Sequence, residues 1–317
     1  MKMIKLSNSH GLEFVAASGL YGFDGQGYRW KFWEWPSKWT GAIDKSLLTI
    51  VTKTLTYPPT RGNYRWYAPW RVVKLVSAEG ETIPLLWGLL KPELVYGVAN
   101  AVGLTGPGFE RWLKKDYPII NRCGYKVIVS ITGTEVECGR IARKLNELNN
   151  IVVIEFNASC PNVVSGLKNS NQIKATILRI TEESDLPILI KISYAQKYVD
   201  IAKEVEGLIE GISFNSLPWY YVFSSPSPLG KYGGGAISGL VCRKFYKRML
   251  SDLVGAGVRR PIIMPVWNYQ DIKENFRLGA SACSFGSVGF LYPGRPTEFI
   301  RQWREEEKAA LKEKSID

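Results

Sequence analysis

Eight short apolar runs rich in β-branched residues are spread along the chain, and helical spacing follows most of them. The runs are Phe14–Gly19, Leu47–Lys53, Lys126–Ile131, Val152–Asn157, Pro187–Ile192, Gly211–Ser216, Pro261–Pro265 and Ala282–Ser287. Strands that alternate with helices indicate βαβ units and a parallel sheet. Eight such units in 317 residues match the usual size of one closed barrel. We therefore predict an α/β fold, a single (β/α)8 TIM barrel that spans residues 1–317.

Polar residues gather where these runs end. The fourth run continues as Ala158-Ser159-Cys160-Pro161-Asn162, the second ends at Lys53, the fifth contains Lys191, and the sixth ends in Asn215-Ser216. The carboxyl ends of parallel barrel strands share one rim, where reactive groups collect. Because a buried ammonium group needs a compensating anion or dipole, we expect both lysines to face a ligand.

The composition favours a globular protein without a metal. Hydrophobic residues make up 45% of the chain and charged residues 22%. The five cysteines have no metal-binding spacing, and a single histidine, His10, cannot build a histidine-based zinc site. No window approaches the roughly 18 apolar residues of a membrane span. We expect a cytoplasmic protein with no metal and no membrane span.

The net charge of +12 would attract anionic partners, but charge alone is weak evidence for nucleic-acid binding. The basic residues are spread through helical stretches such as Arg243–Arg248, and no nucleic-acid-binding module is recognisable. We interpret that stretch as a solvated helix face and predict no nucleic-acid partner. A non-catalytic barrel that binds an anionic polymer is the alternative.

Two segments are unusually rich in tryptophan. The first, residues 30–39, would cover the barrel mouth or, alternatively, form a docking surface for an electron acceptor. The second lies within a long connection at about 57–97 that contains Trp66, Trp70 and Trp87. A structureless loop of that length is unusual, so we predict an insertion or lid.

Glycines cluster at Gly233-Gly234-Gly235, just before the residues Ala236-Ile237-Ser238-Gly239. We expect this run to open a helix over Leu240–Val254 and to present backbone N–H groups to a phosphate.

The motifs at these positions resemble those of class one dihydroorotate dehydrogenases, which use a cysteine base. They recur in the family's order as Ala17-Ser18-Gly19, Lys53-Thr54, Asn100-Ala101-Val102-Gly103-Leu104, Asn157 to Asn162, Lys191, Asn215-Ser216, the glycine run and Gly286-Ser287. The resemblance implies an enzyme that contains flavin mononucleotide (FMN) and oxidises dihydroorotate to orotate in pyrimidine synthesis.

The resemblance also implies roles for individual residues. Cys160 would be the catalytic base that removes the C5 proton, while flavin N5 accepts the C6 hydride. The residues that would bind substrate are Lys53, Asn100, Asn157, Asn162, Asn215 and Ser216. Those that would bind the cofactor are Ala17, Ser18, Gly19, Lys53, Thr54, Asn157, Lys191, Ser216, Gly234, Gly235, Gly286 and Ser287.

One departure from the family lies at the end of the seventh run. The family has Gly-x-Gly-Gly there, whose amides bind the flavin phosphate, whereas this chain has Met264-Pro265-Val266-Trp267-Asn268. Proline has no N–H group to donate. We expect phosphate binding to rest on the remaining glycines, on Ser287, or on a basic side chain. A homologue that has lost flavin is the alternative.

Three further features stay open. The substrate could be another dihydropyrimidine instead of dihydroorotate. The electron acceptor could be fumarate, or NAD through a separate electron-transfer subunit, while the cysteine base argues against a quinone. Family resemblance implies a homodimer.

Overall fold

The computed structural model describes residues 4–28, 30–159 and 169–313. The strands are β1 (Ile4–Lys5), β2 (Gly11–Leu12), β3 (Phe14–Ala16), β4 (Thr49–Val51), β5 (Val73–Val76), β6 (Thr82–Ile83), β7 (Gly97–Asn100), β8 (Val127–Ile131), β9 (Ile151–Asn157), β10 (Ile188–Ile192), β11 (Gly211–Phe214), β12 (Leu217–Pro218), β13 (Ala236–Gly239), β14 (Ile262–Val266) and β15 (Ala282–Phe285). The α-helices are α1 (Glu34–Trp39), α2 (Leu85–Leu90), α3 (Phe109–Lys115), α4 (Tyr117–Cys123), α5 (Glu135–Asn146), α6 (Ser170–Glu183), α7 (Tyr198–Val205), α8 (Trp219–Val222), α9 (Arg243–Gly255), α10 (Tyr269–Arg277), α11 (Ser287–Leu291) and α12 (Arg295–Glu313).

Eight parallel strands close into a barrel. They follow the order β3, β4, β8, β9, β10, β11, β14 and β15, and β15 pairs with β3 to complete the circle. Each of the eight predicted runs overlaps one of these strands, so the barrel prediction is confirmed. The runs are mostly apolar because both faces of each strand are covered, one by the barrel interior and the other by helices.

Helix α5 illustrates how the sequence places helices around this barrel. Thr134 caps its first turn and forms a reciprocal capping box with Glu137, as expected for a Thr-x-x-Glu start. Cys138, Ile141 and Leu145 are fully buried and recur at spacings of three and four residues. That spacing puts them on one helix face, which packs in the core.

A second, antiparallel sheet accompanies the barrel, in the order β12, β13, β7, β5 and β6. Two of its strands, β5 and β6, come from the tryptophan-containing segment at 57–97. The sheet joins residues 73–100 to residues 217–239, which lie far apart in the sequence. Close approach is needed where Gly239 faces Gly97, because a Cβ at position 239 would lie 2.7 Å from the Gly97 Cα.

The helix predicted over Leu240–Val254 is present, but the residues that lead into it form a strand. Residues Ala236–Gly239 form β13, and helix α9 begins only at Arg243 after a short 3-10 turn. Gly239 has a φ of +119°, outside the helical region, and β13 is held as a strand by pairing with β7. The run therefore builds the second sheet.

Among the residues that the structure describes, no helix is both long and apolar enough to cross a membrane.

Candidate active site

A cavity of about 710 Å³ lies at the carboxyl ends of the barrel strands. That volume is within the range of about 300–1,000 Å³ typical of small-molecule sites. Most of the predicted site residues line it, namely Ala17, Ser18, Gly19, Lys53, Thr54, Asn100, Asn157, Lys191, Asn215, Ser216, Gly286 and Ser287. Residues from seven elements thus meet at one place, as the rim position of a barrel site requires.

Four predicted residues are not found in this lining. Gly234 and Gly235 do not belong to it, and the backbone of Gly235 lies instead against Asn100, whose carbonyl oxygen would be 2.7 Å from an added Cβ. This position does not support the phosphate-binding role expected of the two glycines. Cys160 and Asn162 lie outside the described residues.

The amide of Asn157 is buried and oriented by neighbouring side chains. Its Nδ2 donates to the Thr54 hydroxyl at 3.1 Å, and that hydroxyl lies 3.0 Å from the Ser130 hydroxyl. Its Oδ1 accepts from the backbone N–H of Ser159 at 3.3 Å. Since these contacts fix the amide plane, Asn157 is held in one orientation beside the cavity.

Asn215 connects two barrel strands at the same level. Its Nδ2 donates to the carbonyl of Ser159, and its Oδ1 accepts from the N–H of Ser216 at 2.9 Å. Ser159 is fully buried and also donates from its hydroxyl to the Lys191 carbonyl at 3.3 Å. The backbone at Ser159 is therefore fixed beside Asn215, which lines the cavity.

Lys191 is buried, but a protein carboxylate compensates its charge. The Nζ atom lies 2.9 Å from Oε1 of Glu155, and the other Glu155 oxygen accepts from the Ser213 hydroxyl at 2.9 Å. The expectation that burial of this lysine requires a ligand is therefore corrected. Asn157 and Lys191 still line the cavity together, so Lys191 contributes to the lining with its charge already paired.

Lys53 reaches the cavity from just beyond β4. Its Nζ donates to the Thr105 carbonyl at 2.6 Å and lies 5.3 Å from the centre of the Phe23 ring. The carbonyl contact ties the end of this strand to the loop after β7, which also contributes cavity residues. A positive charge is thereby positioned at the cavity wall.

Asn100, at the end of β7, differs from the other two asparagines. Its backbone pairs with Ala236 and Val73 in the second sheet, while its side chain makes no hydrogen bond to any other residue within the described ranges. The side chain lines the cavity and is half-buried. Its amide is therefore available to a ligand.

The part of the cavity lining that comes from α9 contains basic residues that the sequence reasoning missed. Arg243 and Lys247, interpreted above as part of a solvated face, both line the cavity, whereas Lys244 and Arg248 are exposed. The spacing of four residues was the available signal, because it puts Arg243 and Lys247 on one side of a helix. Both make ion pairs, Arg243 with Asp271 and Lys247 with Glu274.

A carboxylate hydrogen-bonds to the backbone N–H groups that follow β14. Oδ2 of Asp271 accepts from the backbone N–H groups of Trp267 at 2.8 Å and Asn268 at 3.0 Å. Asp271 belongs to the first turn of α10, where it forms a capping box with Asn268. The amides at the end of the seventh barrel strand are thus already engaged by a negative group of the protein.

The rim of the cavity carries a carboxyl group with an altered pKa. Burial, together with the nearby Asp24 carboxylate, raises the pKa of Asp116 to about 6, although Arg111 opposes the shift. Burial also raises the pKa of Tyr28, which donates to the Gly19 carbonyl at 2.8 Å. Tyr28 therefore stays neutral at ordinary pH, whereas Asp116 is ionised at pH 7 and gains its proton near pH 6.

The tryptophan-rich segment 30–39 is divided between the cavity and the surface. Trp30 lines the cavity and packs against Trp33 and Phe290, with ring centres 5.6 and 5.8 Å away. Trp39 is 82% exposed. Part of the segment thus contributes to the cavity wall and part faces outward.

The remaining cysteines do not form a reactive site. Cys138, Cys242 and Cys283 are buried, and burial raises the pKa of the last two thiols. Cys123 is exposed, so unlike the others it does not fill the core. Within the described ranges, no group of three or more His, Cys, Asp or Glu residues could hold a metal ion.

A parallel eight-stranded barrel whose strand ends converge on an amide- and lysine-lined cavity defines the class of TIM-barrel enzymes. The family model described as dihydroorotate dehydrogenase matches residues 89–299. The chain belongs to the dihydroorotate dehydrogenase family, whose members are oxidoreductases.

Named relatives agree with this assignment. The chain is 28% identical to the protein named dihydroorotate dehydrogenase B (NAD(+)), catalytic subunit, of Bacillus mycoides, over 62% of this chain and 67% of the relative. It is 29% identical, with the same coverage, to the protein of that name from Bacillus cytotoxicus. These relatives are consistent with the class one resemblance.

A solved structure shares the fold. The crystal structure of a dihydroorotate dehydrogenase from Eimeria tenella, in complex with ferulenol, superposes with a TM-score of 0.65 over 96% of this chain and 82% of that chain. The sequence identity is 14%, so this likeness supports the barrel alone.

Proposed function

We propose that this chain oxidises dihydroorotate to orotate with FMN as its redox cofactor. One observation carries the proposal: three asparagines and two lysines, supplied by β7, β9, β10 and the segments after β4 and β11, line a single rim cavity. An amide can donate and accept, which suits the edge of a pyrimidine. Two ammonium groups suit an anionic substrate and a cofactor that gains negative charge on reduction.

The residues present are compatible with FMN. The cavity volume suits a cofactor of that size, and Ala17-Ser18-Gly19 offers a wall of small residues. On α9, Nη2 of the cavity-lining Arg243 is buried without a hydrogen-bond partner in the described part of the chain, which fits an anionic group. When bound, FMN would supply the acceptor for the hydride that leaves C6 of the substrate.

We assign the proton transfer to Cys160. Oxidation of the C5–C6 bond requires a base for the C5 proton, and a thiolate can accept it. Ser159, which precedes Cys160 in the sequence, is fixed at the cavity by Asn215, and this supports the assignment. A free thiol has a pKa near 8.5, so turnover should rise with pH unless the site favours the thiolate.

The other polar residues would bind and orient the substrate. Lys53 would attract its carboxylate, and Asn100 and Asn215 would contact the ring amides. Lys191, paired with Glu155, would support the cofactor ring from the barrel floor. Asn162 and Ser216 are proposed as further substrate contacts. The second sheet, which contains β5 and β6 of segment 57–97, would act as the lid of a single barrel domain.

The first test removes the thiol. Cys160→Ala should abolish dihydroorotate oxidation while the protein keeps its bound flavin and its flavin absorbance spectrum, because only the base is lost. Cys123→Ala, which removes an exposed thiol, is the matched control and should oxidise dihydroorotate at the wild-type rate. Near-normal turnover by the Cys160 variant would exclude Cys160 as the base.

The substrate class can be tested with the same preparation. Dihydroorotate should bleach the flavin without oxygen, whereas a dihydropyrimidine lacking the carboxylate should not. Bleaching only by the second compound would favour the alternative substrate. A colourless preparation that shifts nucleic acid in a salt-dependent manner would favour a binding protein.

For the electron acceptor, we propose NAD reached through a separate electron-transfer subunit. The relatives named above support this, since their names describe the catalytic subunit of an NAD(+) enzyme. The isolated chain should then reduce an artificial dye but not NAD. Direct reduction of NAD or fumarate by the isolated chain would contradict this route. A homodimer is also expected, and its mass in solution would test it.

A further inference from the structure

The end of the cavity at β14 lacks available backbone donors. Pro265 has no N–H group, and the N–H groups of Trp267 and Asn268 both donate to the Asp271 carboxylate. An incoming phosphate would have to displace this buried carboxylate to reach either amide. Any anion bound at this end therefore needs other donors.

Arg243 provides such a donor. It is the first residue of the 13-residue helix α9, and its Nε lies 2.7 Å from Oδ1 of Asp271. The ion pair holds one side of the planar guanidinium. Nε and Nη2 are both buried and have no hydrogen-bond partner among the residues that the structure describes, Nε despite its short distance to Asp271. Because an unsatisfied buried donor is costly, Nη2, which has no carboxylate beside it in an ion pair, calls for an acceptor from a ligand.

The surroundings of Arg243 are suited to a phosphate. Lys247 lies one helical turn further on, and the hydroxyls of Ser238 and Ser287 hydrogen-bond to each other in the same cavity lining. The amino end of α9 adds a partial positive charge. Two carboxylates, Asp271 and Glu274, balance the charges of Arg243 and Lys247. Hydrogen bonds donated by the guanidinium must therefore contribute more to phosphate binding than the net charge of this region does.

We infer that the Arg243 guanidinium binds the phosphate of the flavin in this chain, in place of the backbone amides of the seventh barrel strand. The inference rests on the proposed function, since it names the group that selects a phosphorylated flavin. Arginine suits this role because its planar donors match phosphate oxygens. The residues proposed above to support the flavin ring, Ala17–Gly19 and Lys191, are different ones.

The test compares two flavins that differ only in the phosphate. Protein stripped of flavin is titrated with FMN and with riboflavin, and binding is followed by flavin fluorescence. The wild-type chain should bind FMN at least about tenfold more tightly, as expected for one charged hydrogen bond. Arg243→Gln should weaken FMN binding by about 10- to 100-fold and leave riboflavin binding within about threefold.

Two further variants control for charge and folding. Arg248→Gln removes the same charge from the same helix, but Arg248 is 70% exposed and pairs with Asp252, so the preference for FMN should persist. Arg243→Lys keeps the charge and should retain part of the preference, which guards against a folding defect in the glutamine variant. Thermal unfolding of each variant confirms that the folded state is being compared.

The outcomes separate this inference from the proposed function. If Arg243→Gln binds FMN as tightly as the wild-type chain, Arg243 is not the phosphate ligand, while flavin binding still supports the enzyme. Equal affinity of the wild-type chain for FMN and riboflavin would likewise overturn the inference alone. If the wild-type chain binds neither flavin, both the inference and the proposed function fail.

Discussion

The two ends of the cavity differ in how their polar groups find hydrogen-bond partners. At the end formed by β9, β10 and the segment after β11, side chains satisfy one another: Glu155 pairs with Lys191, Asn157 with Thr54, and Asn215 with Ser159. At the end formed by β14 and α9, Asp271 accepts from the backbone amides of Trp267 and Asn268, and two guanidinium nitrogens of Arg243 have no hydrogen-bond partner among the described residues. The first end is preorganised, whereas the second is completed only by a ligand.

The largest expected effect tests the preorganised end of the cavity. Glu155→Gln leaves the Lys191 ammonium buried without its counter-ion, and loss of one partner of a buried pair costs about 3–5 kcal/mol. Urea denaturation should show a loss of about 3 kcal/mol in the free energy of unfolding.

The matched control for that prediction lies on the surface. Glu204→Gln disrupts the pair between Lys174 and Glu204, both more than 40% exposed, and should cost less than about 1 kcal/mol. Equal losses in the two variants would mean that Lys191 does not depend on Glu155.

A smaller effect would sharpen the comparison by testing Asn100, a lining amide outside the preorganised end. The side chain of Asn100 makes no hydrogen bond to another described residue, so Asn100→Ala should change stability by less than about 1 kcal/mol. Loss of one ligand hydrogen bond should weaken binding of orotate about tenfold. Titration of orotate, followed by the flavin spectrum, measures this change.

Asn157→Ala provides the contrast, because it should weaken both folding and ligand binding. Its amide is buried and contacts Thr54 and Ser159. If Asn100→Ala destabilised the fold as much as Asn157→Ala, the distinction between satisfied and available amides would be wrong.

The smallest effect concerns Asp116, which also lines the cavity. The pKa of Asp116 is raised to about 6 from the ordinary value of 3.8, so the folded chain binds its proton more tightly than the unfolded chain. Its contribution to stability is therefore greatest below pH 4, falls as the pH rises to about 6, and stays lower above that. Solvent screening of this half-buried group keeps the loss below about 1 kcal/mol.

Asp116→Asn should remove that pH dependence. The difference in free energy of unfolding, variant minus wild type, should be larger at pH 7.5 than at pH 4. Denaturation of both proteins at both pH values measures it. Asp185→Asn, at an exposed position, is the control. If the stability of the Asp116 variant changed between the two pH values as much as that of the wild-type chain does, Asp116 would not be the group that titrates.

The barrel could be predicted because each strand is a local feature of the sequence. Short β-branched runs with covered faces are visible without knowledge of their partners, and all eight were found. The second sheet was missed because its strands pair across segments that lie far apart in the sequence. Ala236–Gly239 becomes a strand only because β7 lies beside it.

The candidate site was predictable to a similar extent. Asparagines and lysines at strand ends indicated the rim correctly, because strand direction fixes where they lie. The roles of Glu155 and Asp271 were not visible, since each depends on a partner brought close by folding. Arg243 and Lys247 were misinterpreted because a basic helical stretch is usually solvated, although their spacing placed both on one face.

The antiparallel ladder of the second sheet has a consequence for how this cavity can diverge. Asn100 ends the central strand of that ladder, with β5 on one side and β13 on the other. A change in length within either flanking segment shifts the backbone that carries this asparagine. Ligand preference can therefore evolve through insertions and deletions in segments outside the eight barrel strands.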